Sequence, residues 1–253
     1  MSSSSIAFTI PGNARVCRYE DTAQAIAAQT MTAGTGGSSF GDIIVFHDAL
    51  SLARGHLPLG ILPDSDNDDH HFHGDRMGVG NAFTITCKDA SGAVQTACDS
   101  NTDSATITVL LKGSIQTPNF MSSVDREANF TVTGLNSMTA TLDGDSSFSL
   151  DTTLNSVFHP GVTSTLMFDA TASYKAITFA SADRDNITGG SASFEVKAHR
   201  TVTGTANGSN DVDKSFDVTA ELTFNADHTA TLVLDGMHTF TIDLHTGRIT
   251  KVS

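Results

Sequence analysis

The densest run of metal-seeking side chains is Asp64-Ser65-Asp66-Asn67-Asp68-Asp69-His70-His71-Phe72-His73-Gly74-Asp75. Carboxylates at Asp64, Asp66 and Asp68, with a further acid at Asp75, copy the one-three-five-twelve spacing of a calcium loop. A hard cation needs several oxygens converging from one bend. The match departs in two places. Asp69 stands where the turn-forming glycine is expected, and Asp75 is shorter than the usual bidentate Glu. Nitrogen offers a second chemistry. On an extended chain His71 and His73 project to one side and His70 to the other, which suits zinc or copper with a distant further ligand. A solvated polar loop that binds nothing is the third reading of the same residues. A metal-assisted hydrolase built on His70, His71, His73 and the neighbouring carboxylates would also need an open metal position in a concave site.

Other chemical motifs fail in context. Gly37-Ser38-Ser39-Phe40-Gly41 matches the G-x-S-x-G nucleophile elbow, which works only as a strand-to-helix turn on a parallel α/β sheet. The stretch before it reads as helical and the chain has no βαβ alternation, so a Gly/Ser connector is expected, with His47-Asp48 near it in number alone. Asp125-Arg126-Glu127 and Asp183-Arg184-Asp185 read as surface turns that pair opposite charges, not as a glycosidase carboxylate pair. There is no P-loop and no complete G-x-G-x-x-G.

The elements that must position these residues are mostly strands. Apolar residues step by two at Phe83/Ile85, Ile107/Val109/Leu111, Phe130/Val132, Phe148/Leu150, Leu166/Phe168, Phe194/Val196/Ala198, Phe216/Val218/Ala220 and Phe240/Ile242. Alternation of this kind marks strands with one wet face. Residues 130–151 and 216–243 echo each other, each with a Thr-Ala-Thr-Leu segment followed by Asp-Gly, and the Asp-Gly pairs at 143–144 and 235–236 are expected to turn. Between Tyr174 and Ile177 the apolar parity switches, which predicts a bulge near Ser173-Tyr174-Lys175. The clearest helix starts at Asp21-Thr22-Ala23-Gln24, a capping-box spacing, and runs to Met31. Residues 42–54 fit one helix closed by Gly55 about as well as a strand leading into a helical turn.

These elements place the fold in the mainly β class: an antiparallel meander, closed as a half-barrel, a barrel or a sandwich, with a short N-terminal helix. Residues 1–80 form an N-terminal segment and 81–253 an antiparallel β domain, expected to be one continuous fold. Cys87 and Cys98 are the only plausible local pair among three cysteines. A tight hairpin turning at Asp89-Ala90-Ser91-Gly92 would put Cys87 opposite about Val94, so a disulfide needs a wider loop.

Composition narrows the partners. Twenty-eight acidic residues face fourteen basic ones, a net charge of −14, and no Lys/Arg cluster offers a phosphate-binding surface, so nucleic acid is not an expected partner. No apolar run is long enough for a membrane-spanning helix. A membrane barrel would want girdles of Trp and Tyr, and the chain has no Trp and two Tyr. Met1-Ser2-Ser3-Ser4-Ser5 does not look like a secretory leader, yet the Ser/Thr-rich, Lys-poor composition resembles bacterial exported β proteins. An extracellular, cell-surface or periplasmic site is expected.

The leading functional expectation is an exported, non-enzymatic β-sheet module, structural or binding, with calcium or zinc at Asp64, Asp66, Asp68, His71, His73 and Asp75. The alternatives are a carrier of an apolar ligand, suggested by the inward series Phe130, Phe148, Phe168, Phe194, Phe216, Phe224 and Phe240, and the metal-assisted hydrolase. Long strands with few edge Lys or Pro residues predict poorly protected edges and association of copies through them.

Overall fold

A computed structural model of the chain describes residues 19–30, 42–58, 61–64, 70–76, 79–180, 183–205, 208 and 210–252. Two helices come first, α1 (Tyr19–Thr30) and α2 (Asp42–Ala53), followed by short strands β1 (Ile61–Pro63), β2 (His71–Arg76) and β3 (Val79–Lys88). The long strands are β4 (Ser104–Thr117), β5 (Phe120–Thr133), β6 (Thr139–Asn155), β7 (Thr163–Ala180), β8 (Asp183–Thr203) and β9 (Val212–Phe224). The chain closes with β10 (Thr229–Leu234), β11 (His238–Asp243) and β12 (Ile249–Lys251). Every strand pairs antiparallel with its neighbours in sequence, giving one sheet in the order β1 to β12 that does not close into a barrel. The expected antiparallel meander forms, and the barrel closure does not. Residues on either side of position 80 share this sheet, because β2 pairs with β3. Cys17, the Gly37–Gly41 motif, Asp66 and Asp68 lie outside the described residues.

Both helices sit on one face of the sheet. α2 packs on β3 and β4, and α1 on β10, β11 and β12. The helices bury Ile26, Ala27, Phe46, Leu50 and Leu52 there. Phe46 meets Phe130 and Phe179 edge-on, with centroids 5.9 and 5.5 Å apart. Asp42–Ala53 are therefore helical, and Gly55 N–H donating to Leu52 O at 2.9 Å closes α2. α1 begins at Tyr19, two residues before the expected cap, where the Tyr19 ring lies 3.9 Å from that of His238.

The expected bulge is present. Register shifts between Lys175 and Thr178, and Ala176 takes a φ of 51°. Its partner corrects the reading of the first Asp-Gly. Asp235-Gly236 turns between β10 and β11, but Asp143-Gly144 lies inside β6, where the register also shifts. Asp143 Oδ1 accepts the Ala176 N–H at 2.9 Å, stitching the two irregularities together. Gly144 is needed for close approach: a Cβ there would overlap the Asn129 carbonyl oxygen and come 2.7 Å from Phe130 Cδ1. Asp125-Arg126-Glu127 and Asp183-Arg184-Asp185 are likewise strand residues in β5 and β8, not turns.

Cys87 and Cys98 form a disulfide. The tight hairpin exists, with Lys88 bridging Val94 and Gln95 N–H donating to Cys87 O at 2.9 Å. The chain then loops back through residues 96–103, which brings Cys98 onto Cys87. The edges differ from expectation in part. At the helix-bearing end the sheet closes on three-residue strands carrying Pro63 at one side and Lys251 at the other, which blunts the edges there, whereas further along β9 has no β10 partner over Val212–Val218 and β4 no β3 partner over Ser114–Thr117.

Candidate functional site

Of the acidic, His-rich run, Asp64 directly follows β1 and His71–Asp75 lie in β2, which pairs with β1 with Ile61 opposite Gly74 and Pro63 opposite Phe72; residues 65–69 lie outside the described residues. Asp64 N–H donates to His71 O at 2.9 Å. Phe72 packs on the core, so its neighbours His71 and His73 share the opposite, solvent-exposed face, as the extended-chain argument requires. His73 Nδ1 lies 3.9 Å from Asp64 Oδ1. Asp75 pairs with Gly80 four residues further along the strand than His71, about 13 Å away along an extended chain. The nitrogen set and Asp64 thus share one end of the β1–β2 pair, and Asp75 stands at the other. Among the described residues no three His, Cys, Asp or Glu side chains converge as a metal site.

A larger feature lies on the helix-bearing face. Strands β4 to β9 run on past the helices, and the register builds rows across them. Next below the helix-covered residues comes Leu111–Arg126–Phe148–Ala170–Val196–Val218. The following row is Gly113–Val124–Leu150–Phe168–Ala198–Phe216, then Ile115–Ser122–Thr152–Leu166–Arg200–Lys214. Thr117–Phe120–Leu154–Ser164–Val202–Val212 is the last. Burial fades along this series. Leu111, Arg126, Val196 and Val218 are buried in the first row, only Ala198 in the second, and none in the third and fourth. Ile115 and Leu154 are 48% and 47% exposed, and beyond the rim Phe158 in the β6–β7 connection is 90% exposed.

The inward Phe residues divide accordingly. Phe130, Phe194, Phe224 and Phe240 are buried, while Phe148, Phe168 and Phe216 are partly buried. Phe148 and Phe168 meet edge-on at 6.1 Å, and the Arg126 guanidinium sits 5.2 Å from the Phe148 ring centre. Arg126 is 1% exposed, an uncommon place for a guanidinium.

Charge is segregated between the two faces. The four rows contain Arg126, Arg200 and Lys214 and no acid, although acids outnumber bases two to one in the chain. The carboxylates stand on the opposite face, where Glu127, Asp145, Glu195 and Glu221 with Ser147 and Thr171 line a shallow concavity of about 580 Å³. There Lys112 Nζ contacts Asp125 Oδ2 at 2.9 Å, and that hydrogen bond raises the Lys112 pKa. His199 Nε2 lies 2.8 Å from Asp213 Oδ1 on the same side. Sequence reasoning did not select Arg126, Arg200 or Lys214. Their signal was parity: each lies two residues from an inward apolar residue, Ala128, Ala198 and Phe216 respectively.

The chain matches no known family model, no curated protein and no solved structure.

Proposed function

We propose that this protein is a non-enzymatic binding module that carries an apolar ligand on the open half of its helix-bearing face. The observation that carries the reading is the continuation of the apolar rows beyond the helices, with Val124, Leu150, Phe168 and Phe216 only partly buried on one surface and Ile115 and Leu154 exposed beside them. Contiguous apolar surface of this kind marks an interaction site. The helix-covered half supplies rigidity. Its rings pack edge to face and are close to fully buried. The Cys87–Cys98 disulfide supports export to an oxidising compartment.

Binding of the uncharged dye Nile red tests this reading. Its fluorescence is expected to rise on mixing with the protein, and Phe168→Glu should abolish the rise while leaving the melting temperature within a few degrees. Absence of binding, or binding untouched by the substitution, would defeat the reading.

We propose zinc as a second, separate ligand, taken by His71, His73 and Asp64; these share one end and one face of the β1–β2 pair, with His73 Nδ1 3.9 Å from Asp64 Oδ1, and their side chains would have to turn together to hold the ion.

A further inference from the structure

Resting on that apolar-ligand reading, we propose that the ligand is a free long-chain carboxylate. Its head is held between Arg200 and Lys214, and its chain lies along the Phe216–Phe168–Leu150–Val124 row. Arg200 and Lys214 are direct cross-strand partners, so their Cβ atoms stand about 4.5–5.5 Å apart on one face. Like charges in that relation destabilise a sheet unless something negative lies between them. No residue of the four rows supplies it. Asp213, next to Lys214 in sequence, belongs to the opposite face and is engaged with His199. Arg200 Nε is moreover buried without a hydrogen-bond partner among the described residues, a donor whose desolvation none of them offsets.

An anion at this pair would satisfy both observations, and its immediate surroundings say what else the ligand must be. Leu166 flanks Arg200 in its own row, and Phe168, Ala198 and Phe216 form the row next to it. From Phe216 to Val124 that row spans four strand spacings, about 19 Å. A head carrying one negative charge on a long, narrow apolar body fits this layout. A second copy of the chain does not. The same face of a second copy carries Arg126, Arg200 and Lys214 and no acid in its four rows, so it brings no counter-charge to this pair.

The test compares ligands of one chain length on the full protein, by calorimetry below the micelle concentration: palmitate, hexadecanol and hexadecyltrimethylammonium. Palmitate is expected to bind about tenfold or more tightly than the alcohol, and the ammonium compound most weakly. In the Arg200→Gln/Lys214→Gln variant the advantage of palmitate should vanish while hexadecanol binds as before, which also shows that the variant is folded. Lys214→Gln alone, at an exposed position, should narrow the gap part-way. Equal affinities for acid and alcohol in the native protein would overturn the proposal and leave the apolar-ligand reading standing. Failure of all three to bind, with Nile red silent as well, would remove both. Adhesion to phosphatidylglycerol vesicles without uptake of monomeric palmitate would also overturn the proposal, assigning the cations to a membrane surface.

Discussion

Strand β5 passes through two environments. At Phe130 it lies under α2, with Phe46 above it and Tyr174 beside it, and exposure is 2%. Six residues earlier, at Val124, the same face of the same strand is partly open to water. β6 repeats the contrast between Leu142 and Leu150, β8 between Phe194 and Val202, and β9 between Phe224 and Phe216. Apolar periodicity is the same in both halves, so periodicity alone builds the sheet. What differs is the cover and the polar residues admitted. The covered half is almost wholly aliphatic and aromatic, and the open half takes Thr152, Ser164, Arg200 and Lys214 into its rows. One half is a core in the ordinary sense. The other has the pattern of a core and the solvation of a surface, and that is why we read it as a binding face.

The comparison can be broken most directly at the aromatic residues. Phe130→Ala should cost about 3–5 kcal/mol in urea unfolding, because the cavity lies among rings that cannot collapse into it. Phe168→Ala should cost about 1 kcal/mol or less and reduce ligand binding instead. Equal stability losses at the two sites would mean that the open half is core like the other. Removing the disulfide with Cys87→Ala/Cys98→Ala is expected to lower stability by about 3 kcal/mol, through the freed loop in the unfolded chain. Because Cys87 is buried beneath the helices, palmitate affinity should be unchanged in material that remains folded. A parallel loss of affinity would show that the halves do not act separately.

Zinc sharpens the contrast from another side. At a hundred times its dissociation constant it would add about 2.7 kcal/mol, read as a raised melting temperature that His71→Ala/His73→Ala removes. Stabilisation by calcium in the double-His variant would select the oxygen ligands instead. The smallest effect concerns acid. Asp89, Asp99 and Asp227, in connections at the helix-covered end, and Asp243, at the end of β11, are held below the usual carboxylate range by hydrogen bonds from their own turns. The first donors are the Ser91 hydroxyl, the Asn101 N–H, the Thr229 hydroxyl and the Thr246 N–H. At the opposite end Asp211 is lowered by the Thr205 hydroxyl. A depressed folded pKa contributes stability above the unfolded value near 4, which is lost as pH falls through the folded value. Melting temperatures should therefore be level from pH 7 to about 5 and decline below about 4.

The strands and the bulge were legible because alternation and its interruption are local. Ala176 and the parity switch around it needed no knowledge of the rest of the chain. Asp143-Gly144 misled because Asp-Gly serves two purposes, turning a hairpin or letting strands approach closely, and only the partner strand decides between them. Arg126 was hidden for the opposite reason. Flanked by Asp125 and Glu127 it reads as a charged turn, and only the positions two away, Val124 and Ala128, reveal that it points inward. The open half was illegible in principle. An inward Phe at 168 looks like one at 194 until the reach of the helices is known.

The most direct test of the division is an NMR titration with palmitate of protein carrying carbon-13 in its Phe rings. The account predicts shifts at Phe148, Phe168 and Phe216, with Phe130, Phe194, Phe224 and Phe240 unmoved. Shifts centred on the buried four would place the ligand under the helices and contradict it, as would the absence of any shift.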